Sequence, residues 1–165
     1  MTGREAPKDG NGADAPLTDL ALAALLADAR ASGEPQRLVA VVPYAAFLGL
    51  EVTQKAGVVS TTMRYGEHLI GDATIPALHG GTLAALLESS AIFAVLFAEE
   101  QPALPRTITF TIDYLRSGKA ADTHARARIV RRGRRVAVVE TAAYQDDPDK
   151  PVATAIVHLL VAQDA

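Results

Sequence analysis

Apolar residues fall in helical spacing from about residue 18, in strand spacing after about residue 49, and in one long unbroken run between two sets of strands. Residues 1–16 show no hydrophobic period and are rich in Gly, Ala, Asp and Pro, the composition of a disordered leader. Thr18 then suits an N-cap for a helix running to about Arg30, which Ser32-Gly33 would end. A second helical stretch follows Pro35 through Leu38, Val41 and Val42 toward Phe47, with Pro43 kinking or dividing it.

From Gly49 the pattern becomes that of strands. Leu50 to Lys55 and Val58 to Tyr65 are rich in β-branched residues, with Ala56-Gly57 as a turn between them. A loop containing Gly66, Gly71 and Pro76 leads into one helix from Gly80 to about Phe97. Beyond Pro105 the chain reads as strand throughout. Arg106 to Leu115 places Ile108, Phe110, Ile112 and Tyr114 on one face and Thr107, Thr109, Thr111 and Asp113 on the other. Thr123 to Val130 alternates in the same way, Gly133 marks a hairpin turn, and Val136 to Tyr144 and Val152 to Val161 complete the set. Hairpin-length connections after the helix argue for an antiparallel sheet, so residues 17–165 read as a single α+β domain whose sheet wraps the long helix.

Composition narrows the function classes. The chain is 49% hydrophobic and 21% charged with a net charge of −3, ordinary for a globular protein, and points to neither a nucleic-acid nor a membrane-surface partner. The absence of cysteine excludes disulfides, Cys-ligated zinc and a thiol nucleophile. Leu20 to Ala27 is apolar, but Glu5, Asp9, Asp14 and Asp19 precede it, which is wrong for a signal peptide; a cytoplasmic location is expected. His68, His124 and His158 are scattered without metal-ligand spacing: His68 lies in the loop before the helix, His124 on an outward strand face, His158 among apolar neighbours. No phosphate-binding or dinucleotide fingerprint is present, so neither metal nor cofactor is expected.

The long helix concentrates the chemistry. It is apolar nearly all round, and Glu88 is its only charged residue between Gly80 and Phe97. A carboxylate there is either an edge residue on a narrow polar stripe with Ser89 or a group opening into a cleft. His79-Gly80-Gly81 stands where the helix begins, and its first N–H groups form a donor site that two glycines leave open. Gly80 and Glu88 lie eight positions apart, about 12 Å along a helix at 1.5 Å per residue. One small carbonyl meets both only if they come from two symmetry-related helices, which calls for at least a dimer with the site at its interface.

His79-Gly80-Gly81, then Glu88, then Asp113-Tyr114-Leu115-Arg116 at a strand end resembles the hotdog-fold thioesterases, in the PaaI-like and 4-hydroxybenzoyl-CoA thioesterase branch. The resemblance covers about residues 40 to 163. It implies a hotdog fold, here with an extra N-terminal helix, and hydrolysis of an acyl-CoA thioester. It assigns the Gly80 N–H to the thioester carbonyl and Glu88 of the partner subunit as base or nucleophile. His79 would shape the turn, and Thr107 would lie near the reacting water. Relatives often carry an Asn six positions before the histidine; Ala73 stands there, with Asp72 one residue earlier.

Gly81, Arg116 and the cluster Arg131, Arg132, Arg134 and Arg135 are candidates for binding substrate or CoA, the cluster alternatively being a solvated hairpin tip. Lys119 is a second candidate beside Arg116. The cleft is expected to be lined by Leu83, Leu87, Phe93 and strand side chains, fitting a medium-chain or small aromatic acyl group. A homodimer at minimum, plausibly a homotetramer, is expected. Two other readings stay open on the same fold: a dehydratase or hydratase, and a non-catalytic acyl-CoA sensor.

Overall fold

The computed structural model describes residues 18–55, 57–72, 74–98 and 104–161, so the expected leader lies outside the described residues. Helix α1 (Asp19–Ser32) starts and stops on the expected signals. Thr18 Oγ1 accepts from the Ala21 N–H at 3.2 Å, and Gly33 takes the left-handed conformation that releases the chain. Proline then splits the next stretch into α2 (Gln36–Ala40) and α3 (Pro43–Phe47). Val42, immediately before Pro43, is extended at φ −110°, because the proline ring excludes helical geometry from its predecessor.

Six strands form one antiparallel sheet in the order β1-β2-β6-β7-β8-β5. These are β1 (Leu50–Lys55), β2 (Val58–Met63), β5 (Arg106–Tyr114), β6 (Thr123–Arg132), β7 (Val136–Tyr144) and β8 (Ala153–Leu160). Gly57, at φ 79°, turns β1 into β2. The loop before the long helix contains more order than its sequence shows: a 3-10 turn (Glu67–Leu69) and a two-stranded ribbon of β3 (Ile70–Asp72) and β4 (Ala77–Leu78).

Helix α4 (Gly80–Ala98) lies on one face of the sheet against β2, β6, β7 and β8. Its length and hydropathy would let it cross a membrane, yet Leu83, Leu86, Leu87, Phe93, Val95 and Leu96 are buried within the fold. Each such buried side chain contributes about 1.5–3 kcal/mol of apolar transfer energy, so the helix is held by the sheet it covers. The facing strand residues are small at one end, where Ala125, Ala143 and Ala153 sit side by side in register. Helix α1 closes the other end: Leu26 and Ala29 are buried, and Arg30 Nη2 donates to the Leu96 carbonyl at 2.5 Å. A guanidinium on the last turn of α4 complements its negative dipole end.

Strand β5 follows α4 in sequence but lies at the sheet's edge beside β8. The helix hardly reaches it, so Ile108 and Tyr114 stay more than half exposed and Phe110 and Ile112 only half-buried.

Candidate active site at the start of the central helix

His79 joins β4 to α4 and is bonded from three directions. Its N–H donates to the Leu69 carbonyl at 2.8 Å, and its own carbonyl accepts from the Thr82 N–H and hydroxyl at 3.0 and 2.7 Å. Its ring Nδ1 accepts the Gly81 N–H at 2.9 Å, capping the helix as an Asn or Ser would. An accepting Nδ1 assigns the ring proton to Nε2, the neutral tautomer. Gly81 is therefore engaged through its N–H. The Gly80 N–H meets no acceptor among the described residues and is the open donor of this turn.

Two residues outside the His79-Gly80-Gly81 triplet build the turn. A side chain at Gly71 would come within 2.9 Å of His79 Cα, so β3 can pass beneath the turn only as glycine. Tyr114, at the end of β5, lays its ring beside Gly80 and donates its hydroxyl to the Gly80 carbonyl at 2.9 Å. Strand alternation put Tyr114 on the helix face; nothing local to it pointed to residue 80.

Glu88 is half-buried, with no ion pair or hydrogen-bond partner among the described residues. It lies on the outward ridge of α4 with Gly81, Ala85 and Ile92, spaced as one helix face and away from the sheet. The expected cleft lining is corrected on this point. Leu83, Leu87 and Phe93 are at most 5% exposed and sit in the core, leaving the smaller outward residues to face a ligand.

Thr107 also departs from simple alternation. A register shift lies between Thr107 and Thr109, and Thr107 pairs with Leu159, a fully buried residue of the helix face. Directly opposed residues share a face, so the bulge turns Thr107 from the side of Thr109 and Thr111 to the side of α4.

The basic candidates separate. Arg116 and Lys119 follow Tyr114, and the Gly118 carbonyl accepts the Leu78 N–H at 2.9 Å, placing this loop beside the helix start. Lys119 is paired with Asp146 at 2.8 Å. The hairpin of Arg131, Arg132, Arg134 and Arg135 joins the end of the sheet where Val136, Leu160 and Arg106 lie in register. Eight strand residues at about 3.3 Å each place that end about 26 Å from Tyr114. Within one subunit the structure does not bring the hairpin to Gly80.

Asp72 is committed locally: one carboxylate oxygen accepts both the N–H and the hydroxyl of Thr74, at 2.8 and 2.6 Å. The Thr74 bonds hold its carboxyl below the usual range. His68 bonds the Phe47 carbonyl and packs on its ring, tying α3 to the loop. His124, on the strand face read as outward, is half-buried beneath the Tyr144 ring and shares a 2.9 Å hydrogen bond with Thr62. No group of three or more metal-ligating side chains occurs among the described residues.

Residues 70–160 match the family described as the acyl-CoA thioesterase N-terminal domain. The chain belongs to this thioesterase family. A Chromobacterium violaceum protein of known structure is 31% identical, over 83% of this chain and 96% of its own, with a TM-score of 0.68. A Ralstonia eutropha protein related to phenylacetic acid degradation is 27% identical over 77% of this chain and 98% of its own, with a TM-score of 0.67. A Bacillus halodurans protein crystallised with CoA shares the fold at 21% identity, with a TM-score of 0.68 over 86% of this chain and 91% of its own. No curated protein matches the sequence. The thioesterase is thus of the hotdog type, with α4 as the helix that the sheet wraps.

Proposed function

We propose that the protein hydrolyses acyl-CoA thioesters of a medium-chain or small aromatic acyl group, in the cytoplasm, as a homodimer or a dimer of dimers. The observation that carries this reading is the open Gly80 N–H at the N-terminus of an otherwise capped helix, in a thioesterase family. A thioester carbonyl oxygen placed there meets one fixed donor and the positive end of the α4 dipole.

The base must come from elsewhere. Helix α4 is unbroken from Gly80 to Ala98, so Glu88 stands about 12 Å from Gly80 along the axis. Glu88 of the partner subunit supplies it if two α4 ridges face one another. The ridge residues Gly81 and Ala85 are small enough to leave room for an acyl group between them. The edge strand β5, with its exposed Ile108 and half-buried Phe110 and Ile112, is the natural contact: an unpaired apolar edge invites a second copy.

In this arrangement Glu88 takes a proton from water, and the water oxygen bonds to the carbonyl carbon. The C–S bond breaks as the carbonyl reforms, and the thiolate leaves and gains a proton. Attack by Glu88 itself, followed by hydrolysis of the anhydride, gives the same products. Thr107 is turned to the helix face but stands next to Arg106, at the end of β5 away from Tyr114, so it is suited to hold the water only as Thr107 of the partner subunit, on the same chain as Glu88. CoA forms part of the proposed substrate, a reading supported by the similar fold of the B. halodurans protein crystallised with CoA, and no other cofactor is proposed. Arg116, in the loop beside the helix start, is the proposed partner of a CoA phosphate; the hairpin arginines would reach one only from another subunit.

Thiol release from short, medium and aromatic acyl-CoAs tests the reading. Wild-type protein turns over at least one of them, and Glu88→Gln loses about a hundredfold or more in kcat, the scale of a lost catalytic base. Saturable acyl-CoA binding without thiol release from wild type replaces hydrolysis with sensing.

A further inference from the structure

The peptide group joining Gly80 to Gly81 is gripped at both ends by side chains. Its carbonyl accepts the Tyr114 hydroxyl at 2.9 Å, and its N–H donates to His79 Nδ1 at 2.9 Å. Two consecutive glycines are otherwise the most mobile backbone a helix can begin with. A donor aimed at a developing oxyanion is effective only if it is fixed beforehand. Each bond comes from a different part of the fold: His79 from the junction between the ribbon and the helix, Tyr114 from the end of the edge strand, 34 residues after Gly80.

We infer that Tyr114 is a positioning residue for the reaction, closing with His79 a two-sided clamp that holds the Gly80–Gly81 peptide and so fixes the open Gly80 N–H. The inference rests on the thioesterase reading above and deepens it. The clamp leaves Gly80's own N–H unused, and that is the group the carbonyl needs. It also accounts for glycine at position 80: a Cβ there would stand 3.1–3.2 Å from the Tyr114 ring carbons and hydroxyl. In this clamp His79 acts through its accepting Nδ1, so an Asn side chain, whose amide oxygen caps helices equally well, substitutes for it. Tyr114, 53% exposed as a residue, holds the peptide from the side facing solvent, where it is free to pack against a bound acyl group.

The test compares Tyr114→Phe, His79→Asn and His79→Ala with wild type in steady-state thiol release, alongside amide hydrogen exchange at Gly81. Tyr114→Phe is expected to lower kcat about five- to tenfold with KM within twofold, the loss of one positioning hydrogen bond expressed in the transition state. His79→Asn should keep kcat within about threefold of wild type, while His79→Ala loses at least tenfold. Gly81 exchange should be faster in Tyr114→Phe and His79→Ala, and near wild type in His79→Asn. An unchanged kcat and unchanged exchange in Tyr114→Phe overturn the clamp, as does a His79→Asn variant no better than His79→Ala. If wild type releases no thiol, the thioesterase reading fails by itself, and the exchange pattern still decides whether the clamp exists.

Discussion

The two ends of the sheet each carry a polar cluster, and the clusters are built in opposite ways. At the Tyr114 end the bonds join residues far apart in sequence: Tyr114 to Gly80, Leu78 to Gly118, His79 to Leu69. At the other end the charges are neighbours in sequence, gathered by the turn at Gly133, and Arg132 bonds the carbonyl of the next residue. The hairpin arginines are exposed, whereas the groups around Gly80 fix one another. Charge gathered by a turn costs little and keeps a sheet end soluble. Polar groups gathered from four segments of chain are specified one by one, and that is the mark of a site that must hold a geometry.

The difference can be broken by substitution at either end. The largest effect is expected at Gly80→Ala, where the new Cβ presses on the Tyr114 ring. We expect kcat to fall at least about tenfold, equivalent to about 1.4 kcal/mol of transition-state stabilisation, with the helical circular dichroism unchanged. Next comes the joint replacement of Arg131, Arg132, Arg134 and Arg135 by Ser. We expect kcat within about twofold of wild type and KM for acyl-CoA raised no more than about threefold, the scale of exposed charge interactions. A tenfold loss of kcat/KM there would instead bring the hairpin into the site of a neighbouring subunit and erase the contrast.

The smallest effect sharpens the same comparison through stability. Asp122, near the Tyr114 end, accepts the Tyr65 N–H at 2.7 Å and pairs with Arg64 at 2.6 Å. The Tyr65 bond first, and Arg64 with it, hold its carboxyl below the usual range. A depressed carboxyl contributes stability above its unfolded value and loses it as pH falls through the folded one. Asp122→Asn should therefore melt slightly below wild type at neutral pH, and the gap should begin to shrink as the pH drops below the ordinary Asp value of about 3.9 and close only below the depressed folded value. A gap that persists in acid would mean that shape rather than charge holds this contact.

Much of this architecture was legible because it is local. Helix α4 announced itself by an apolar run too long for a strand, α1 by Thr18 and Gly33, and the β6–β7 hairpin by Gly133 between alternating segments. The His79-Gly80-Gly81 turn and the lone carboxylate at Glu88 were visible for the same reason. Hidden from that reading were the short β3–β4 ribbon, whose two- and three-residue strands are below any period, and the bulge that turns Thr107 toward the helix. The commitment of Asp72 to Thr74 was equally silent, since an Asp two residues before a Thr bonds it only in a particular turn.

The sequence by itself determined which of the longer segments are helix and strand, where the one carboxylate of the buried helix stands, and that it lies eight positions from the capped turn. These follow from side-chain size, charge and spacing, which act between neighbours in the chain. Only the tertiary structure decided that β5 leaves α4 and crosses to the far edge of the sheet. That crossing brings Tyr114 onto Gly80. Strand order is chosen by how whole faces bury against one another, a sum over the entire core that no local pattern encodes.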